Sequence, residues 1–138
     1  MKYFIFLLLC VSLSAKDVAF VKSVEGLVEA RLVSVVTMVK KDDILEEKMV
    51  IQTKENSKIT IVFNDDSTLI LGPNSILALE KYVFKPVNSE FDFKLDLQTG
   101  SASFESGKIG ELSPQDFTLK TPNGIVGIRG TKFFVKVK

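Results

Sequence analysis

The sequence predicts an all-β domain of short twisted strands, arranged as a sandwich or as a solenoid-like stack. Three observations carry this expectation. Apolar and polar residues alternate with a period of two over several segments. Turn-forming residues recur about every eight to twelve positions. After the first fifteen residues, no long stretch shows the 3.6-residue period of an amphipathic helix. Without helical crossovers, the nucleotide-binding α/β classes are excluded.

The chain has 138 residues, enough for one domain. It opens with Lys2, an unbroken apolar run from Tyr3 to Val11, and then Ser12-Leu13-Ser14-Ala15 before charge begins at Lys16 and Asp17. This is the layout of a cleavable secretory signal peptide over 1–15, followed by a single domain over 16–138. A permanent membrane span is not expected, because a helix crossing a bilayer needs about 20 apolar residues. A buried N-terminal element or an uncleaved anchor are the alternatives. Cys10 would suit a lipoprotein, but Leu8-Leu9 stand before it where small residues would be needed. Once the leader is removed the chain has no cysteine, hence no disulfide and no thiolate. The expected location is the periplasm or cell envelope.

Each strand is read from its own pattern. Val18 to Val36 is rich in valine and reads as two strands broken near Gly26 or Ser34. Lys40 to Lys48 reads as a loop with short strand character. Ile59, Ile61 and Phe63 share one side of the next strand, and Asn64-Asp65-Asp66 turns the chain, because short polar side chains tolerate the left-handed region. Ser67 to Leu71 resumes, Gly72-Pro73-Asn74 turns again, and Ser75 to Leu79 is a further short strand. The clearest alternation runs from Glu90 to Gln98, with Phe91, Phe93, Leu95 and Leu97 on one face, and Thr99-Gly100 closing it. Ser101 to Phe104 is a small-residue strand before a turn region at Gly107 to Gly110. Phe117 and Leu119 pair on a strand that ends at the Thr121-Pro122-Asn123-Gly124 turn. Finally, Phe133, Val135 and Val137 face away from Phe134.

The residue inventory argues against catalysis. The chain has no histidine, the usual general base near neutral pH and the commonest metal ligand. Ser-His-Asp, Cys-His and zinc arrangements are therefore excluded, and no catalytic residue, metal site or cofactor is expected. Among the acids, Asp92 and Asp96 read as solvated surface and Asp65-Asp66 as a turn, which lacks the alternating ligands of a calcium loop. The chain carries 18 basic and 17 acidic residues, and without Lys2 the two counts are equal. That balance excludes a nucleic-acid partner. Gly124-Ile125-Val126-Gly127-Ile128-Arg129-Gly130 looks superficially like a phosphate loop but leads into a strand, not a helix. Its glycines read as bends or close backbone approaches, and Arg129 as a fork that ties neighbouring carbonyls or meets a partner.

The same segment carries a family resemblance. Thr121-Pro122-Asn123-Gly124, followed by Arg129-Gly130-Thr131 and an aromatic strand, resembles the closing signature of the FecR domain family. Upstream, Asp43-Ile44, Thr53 to Ser57, the acidic turn Asp65-Asp66-Ser67, and Leu69 to Ser75 follow that family's order, as does Gly100 with its short strand. The resemblance spans about Val24 to Val137. Asp66 departs from it, standing where the family has glycine, at a position where a positive φ costs Asp more than Gly. Lys41-Asp42-Asp43 and the long, charged stretch from Glu80 to Gln98 depart as well. The resemblance implies an envelope-facing FecR-type all-β domain, with Thr121, Pro122, Gly124, Arg129, Gly130 and Thr131 as motif and interaction residues. Its best-known members are transmembrane anti-sigma regulators that sense an iron-siderophore receptor. Only Met1 and Lys2 precede the apolar run, so that whole role is not expected here. The expectation is an exported binding or scaffolding domain whose partner is an envelope protein or a surface glycan. An accessory role in iron-linked signalling is the alternative.

Overall fold

The computed structural model describes residues 16–128 and 131–137. The expected signal peptide and Cys10 lie outside the described residues, as do Arg129 and Gly130. Twelve strands form one hydrogen-bonded network that folds over on itself: β1 Asp17–Glu25, β2 Val28–Leu32, β3 Val35–Met38, β4 Ile44–Glu46, β5 Val50–Thr53, β6 Lys58–Phe63, β7 Thr68–Leu71, β8 Ile76–Lys85, β9 Glu90–Glu105, β10 Phe117–Thr121, β11 Gly124–Val126 and β12 Lys132–Val137. One short α-helix, α1 Lys108–Leu112, follows β9 among the described residues, and single 3-10 turns lie at Pro86–Asn88 and Pro114–Asp116.

The fold turns on β9. Its first half pairs with β8 on one side and, in parallel, with β10 on the other. Its second half pairs with β7 and β12. The strand thus belongs to two sheets. Sheet I runs β4-β1-β6-β7-β9-β12, and sheet II runs β3-β2-β5-β8-β9-β10-β11. The all-β expectation is met by the sandwich-like arrangement and not by the solenoid. In a solenoid each element packs on its sequence neighbour, whereas β9 gathers partners from β7, β8, β10 and β12. The bend lies at Gly100, which takes φ +91°. Thr99-Gly100 therefore does not close the strand; it redirects it. A second bend at Gly26, φ +75°, carries β1 of sheet I into β2 of sheet II. Positive φ is available to glycine without the Cβ penalty, which is why these two corners are glycines.

Alternation decides what fills the space between the sheets. Ile59, Ile61 and Phe63 of β6, Leu69 and Leu71 of β7, Phe93, Leu95 and Leu97 of β9, and Phe117 and Leu119 of β10 are all buried. Phe63, Tyr82, Phe93, Phe104, Phe117 and Phe133 form a continuous aromatic cluster, with neighbouring ring centroids 4.4 to 6.2 Å apart. Phe104 stacks on Phe117 at 4.4 Å, which ties the bent half of β9 to β10. Truncating either ring in such a core costs about 3–5 kcal/mol.

Several local expectations change. Val18 to Val36 holds parts of three strands, because the chain breaks at both Gly26 and Ser34. The short strand expected at Ser75 to Leu79 is the start of the ten-residue β8, whose burial alternates except at a register shift between Leu79 and Lys81. The turn region at Gly107 to Gly110 contains α1, which buries Ile109.

Candidate interaction surface

The acidic turn is the most elaborate polar site in the molecule, and it faces inward. Asp65 and Ser67 are fully buried, while Asp66 is exposed and takes φ +69°. Asp66 thus adopts a left-handed conformation, which costs Asp more than Gly. The Asp65 carboxylate accepts hydrogen bonds from the Ser67 hydroxyl (2.7 Å), the Ile109 N–H (3.0 Å) and the Tyr82 hydroxyl (3.1 Å). The Asp65 N–H donates back to Tyr82 Oη at 2.9 Å. Burial, and then the charge of Asp65, hold the Tyr82 phenol well above its ordinary range. Lys108 donates its N–H to the Asp65 carbonyl and extends its ammonium to Asp66 at 3.6 Å. The turn therefore fastens α1 and β8 to the β6–β7 hairpin. Its acids are occupied by structural contacts, which leaves no carboxylate pair facing a cleft there.

Ser67 is one of three serines that do the same thing, a device the sequence reading missed. Each follows a residue in the left-handed region: Asn56 before Ser57, Asp66 before Ser67 and Asn74 before Ser75. Each hydroxyl accepts a backbone N–H from a distant strand or loop. Ser57 accepts from Leu27 (2.9 Å), Ser67 from Gly107 (2.9 Å) and Ser75 from Ser101 (3.0 Å). Each hydroxyl also donates two residues back, to the Glu55 carbonyl, the Asp65 carboxylate and the Pro73 carbonyl respectively. The clasps sit where Gly26, Gly107 and Gly100 bring backbone against them. A Cβ on Gly100 would overlap Ser75, and one on Gly26 would overlap Ser57. The available signal was the repeated Asn/Asp-Ser step before a strand, which occurs a fourth time at Asn88-Ser89, where Ser89 itself takes the left-handed conformation.

The motif at the end of the chain lies at a different place. Thr121 and Gly124 sit at the tip of the β10–β11 hairpin, around the exposed Pro122 and Asn123. Thr121 Oγ1 accepts the Asn123 N–H (3.2 Å) and donates to the Gly124 carbonyl (3.1 Å). Thr131 is exposed, and its carbonyl accepts from Ser106 N–H at 2.8 Å. The motif thus joins an edge of sheet II to an edge of sheet I. Of the bends or close approaches expected of its glycines, neither Gly124 nor Gly127 is a close approach, since nothing lies within 4 Å of a Cβ built on either. Gly124 instead takes φ +146°.

The surface divides sharply by sheet. Directly opposed residues of antiparallel strands share a face, so the register fixes what each sheet shows to solvent. On the outer face of sheet I, Phe134 stands opposite Ser103, Ser103 opposite Ile70 and Ile70 opposite Thr60. The next row places Thr68 opposite Val62, Val62 opposite Phe20 and Phe20 opposite Ile44. These residues are half-buried or exposed, Phe134 at 67 %, Ile44 at 52 % and Phe20 at 41 %. Charge on this side lies mainly at the rim, at Lys132, Lys136, Glu105, Lys58 and Glu25, with the exposed Lys22 at the β1 bulge between Phe20 and Ser23. The outer face of sheet II is the opposite. It carries Glu29, Arg31, Gln52, Asp96 and Lys120, and Asp92 bridges Lys81 (3.4 Å) and Lys94 (3.8 Å).

The depressions on the molecule are shallow. One of about 80 Å³ lies on the sheet II face between Arg31, Gln52 and Gln98, and holds a few waters at most. Another of about 280 Å³ opens between β3 and β4, lined by Ala30, Leu45 and Met49. Among the described residues, no three Asp, Glu, His or Cys side chains come together as metal ligands would.

No curated protein matches the chain, and no solved structure matches it. A family model described as FecR protein matches residues 49–138, about two thirds of the sequence. The matched part begins just before β5 and takes in the three clasp serines and the β10–β12 motif, but not Gly26 and Leu27, which meet Ser57. Val24 to Lys48, including the Asp43-Ile44 step that resembles the family, lies outside it. With the acidic turn, the bent central strand and the closing motif all inside the matched region, the chain belongs to the FecR family.

Proposed function

We propose that this domain is a non-enzymatic docking module of the cell envelope, and that it holds another envelope protein against the outer face of sheet I. The observation that carries the reading is the run of apolar and small hydroxylated residues across that face, where charge is sparse. A surface of Phe20, Ile44, Thr60, Val62, Ile70, Ser103 and Phe134 is what a protein interface core presents, with most lysines and glutamates at its rim. Family membership is consistent with an envelope location. A non-enzymatic role is supported by the missing histidine and by the structural use of the Asp65 carboxylate. A protein partner is favoured over a surface glycan because Phe20 and Phe134 lie on opposite margins of the face and form no stacking platform. The accessory role in iron-linked signalling rests on the family alone and is not carried further.

The test is capture from envelope extract with the full chain, comparing Phe134→Asp combined with Ile70→Lys against Arg31→Glu on the charged face. The reading expects specific partners to be lost with the first variant and kept with the second. It fails if nothing is retained above control, or if the folded double variant retains the same proteins.

A further inference from the structure

The sandwich has four free strand edges among its described residues: β4 and β12 in sheet I, β3 and β11 in sheet II. Exposed edges carry unpaired N–H and C=O groups that template further pairing, and proteins guard them with charge or by keeping them short. β12 carries Lys132 and Lys136. β4 has three residues and carries Glu46. β11 has three residues and opens on Gly124. β3, Val35-Val36-Thr37-Met38, has neither charge nor glycine, and all four residues are exposed. It follows a tip at Val33, which is 91 % exposed with φ +57°.

The register shows which groups β3 offers. Val39 donates its N–H to the Val28 carbonyl, and Thr37 stands opposite Ala30. Bonding pairs alternate along an antiparallel ladder, so Thr37 points its backbone groups into β2 while Val36 and Met38 point theirs outward. A second antiparallel β3 placed on this edge bonds through the same two residues. The symmetric register puts Val36 opposite Met38 of the other copy, in both directions, and Thr37 opposite its own equivalent on the two-fold axis. Extending it by one residue sets Val35 opposite Val39. Further out, Lys40 falls opposite Ser34 and Lys41 opposite Val33. No like charges meet anywhere in that register, and the central Thr–Thr pair is a favourable cross-strand combination.

We infer that the β3 edge is a self-association surface, on which two copies of this chain join sheet II to sheet II across a two-fold axis centred on Thr37. The contact is isologous, so it closes as a dimer and does not propagate. It is a weak association, because a four-residue edge buries less than a standard interface. It uses the opposite side of the sandwich from the β11–β12 edges and leaves the sheet I face free.

Thr37 gives a direct test. Opposed residues in a non-hydrogen-bonded pair have Cα atoms about 4.5 Å apart, within disulfide range. Cys10 is the only cysteine of the chain, so Thr37→Cys in a Cys10→Ser background carries a single thiol. The full chain, expressed and exported, is oxidised with copper phenanthroline and read on a non-reducing gel. The inference expects Thr37→Cys to yield at least tenfold more covalent dimer than Thr118→Cys, a control on β10, which is paired to both β9 and β11. Adding Val36→Pro removes an outward N–H that the fold does not use, and is expected to abolish the dimer while the circular dichroism spectrum stays unchanged. The protein without either cysteine is expected to pass from monomer to dimer with concentration in sedimentation. A yield no greater than the Thr118→Cys control overturns the inference. So does a dimer that survives Val36→Pro, or Thr37→Cys forming a mixed disulfide with another protein instead of with itself. Loss of partner capture through Phe134 is independent of each of these outcomes.

Discussion

The Asp65 turn and the outer face of sheet I are made from similar residues and do opposite work. Both combine small hydroxylated side chains with aromatic rings. At the turn, the buried polar groups are spent on the fold: the carboxylate of Asp65 binds Ser67, Ile109 and Tyr82, and the Ser67 hydroxyl binds Gly107. On the sheet I face, Thr60, Thr68, Ser101 and Ser103 stand at the surface beside Val62, Ile70 and Phe134. The contrast teaches that the acidic turn, conspicuous in the sequence, is architectural. The surface suited to a partner is built from residues that no motif marks.

That contrast can be broken by substitution. Asp65→Ala has the largest expected effect, because it strands three buried donors at once; it should cost about 3 kcal/mol or more in urea denaturation. If it costs less than about 1 kcal/mol, the turn is not structural and its acid is free for another role. Gly100→Ala comes next, at about 2–4 kcal/mol, since it places a Cβ at φ +91° against Ser75. Gly127→Ala, in open space, should stay within about 0.5 kcal/mol and separates corner glycines from motif glycines. Ser75→Ala removes the acceptor for the Ser101 N–H and should cost about 1–2 kcal/mol.

Tyr82 sharpens the comparison through pH. Its phenol is held above the ordinary value of 10.0 by burial first and by Asp65 second. Above pH 10 the unfolded chain loses that proton while the folded protein keeps it. Stability from this group is therefore fully present below pH 10 and declines as pH rises past it. Urea midpoints measured across this range should fall for the natural protein and flatten in Tyr82→Phe. The smallest stability effect belongs to the surface. Phe134→Ser should change the urea midpoint by no more than about 0.5 kcal/mol equivalent, yet remove partner capture. A large loss of stability there would make Phe134 another structural residue.

How much was legible depended on the range of the interaction. The alternation at Ile59-Ile61-Phe63 and at Phe93-Leu95-Leu97 gave the buried faces correctly, because strand geometry sends successive side chains to opposite sides whatever the strand pairs with. The turns at Asp65-Asp66, Pro73-Asn74 and Pro122-Asn123 were equally local, and the motif that marked the family was continuous in sequence. What could not be read was whether Thr99-Gly100 ends a strand or bends one. A glycine permits both, and the choice is made by Ser75 and Ser101, which meet at the corner from 26 residues apart.

The sequence by itself determined strand character, the inward sets of side chains and the family, since each depends on neighbours within a few positions. Tertiary structure alone decided that Asp65 is buried, that β9 serves two sheets, and that one outer face carries more charge than the other. Those properties arise when strands far apart in the chain become hydrogen-bonded neighbours, and a strand's own pattern does not specify its partner.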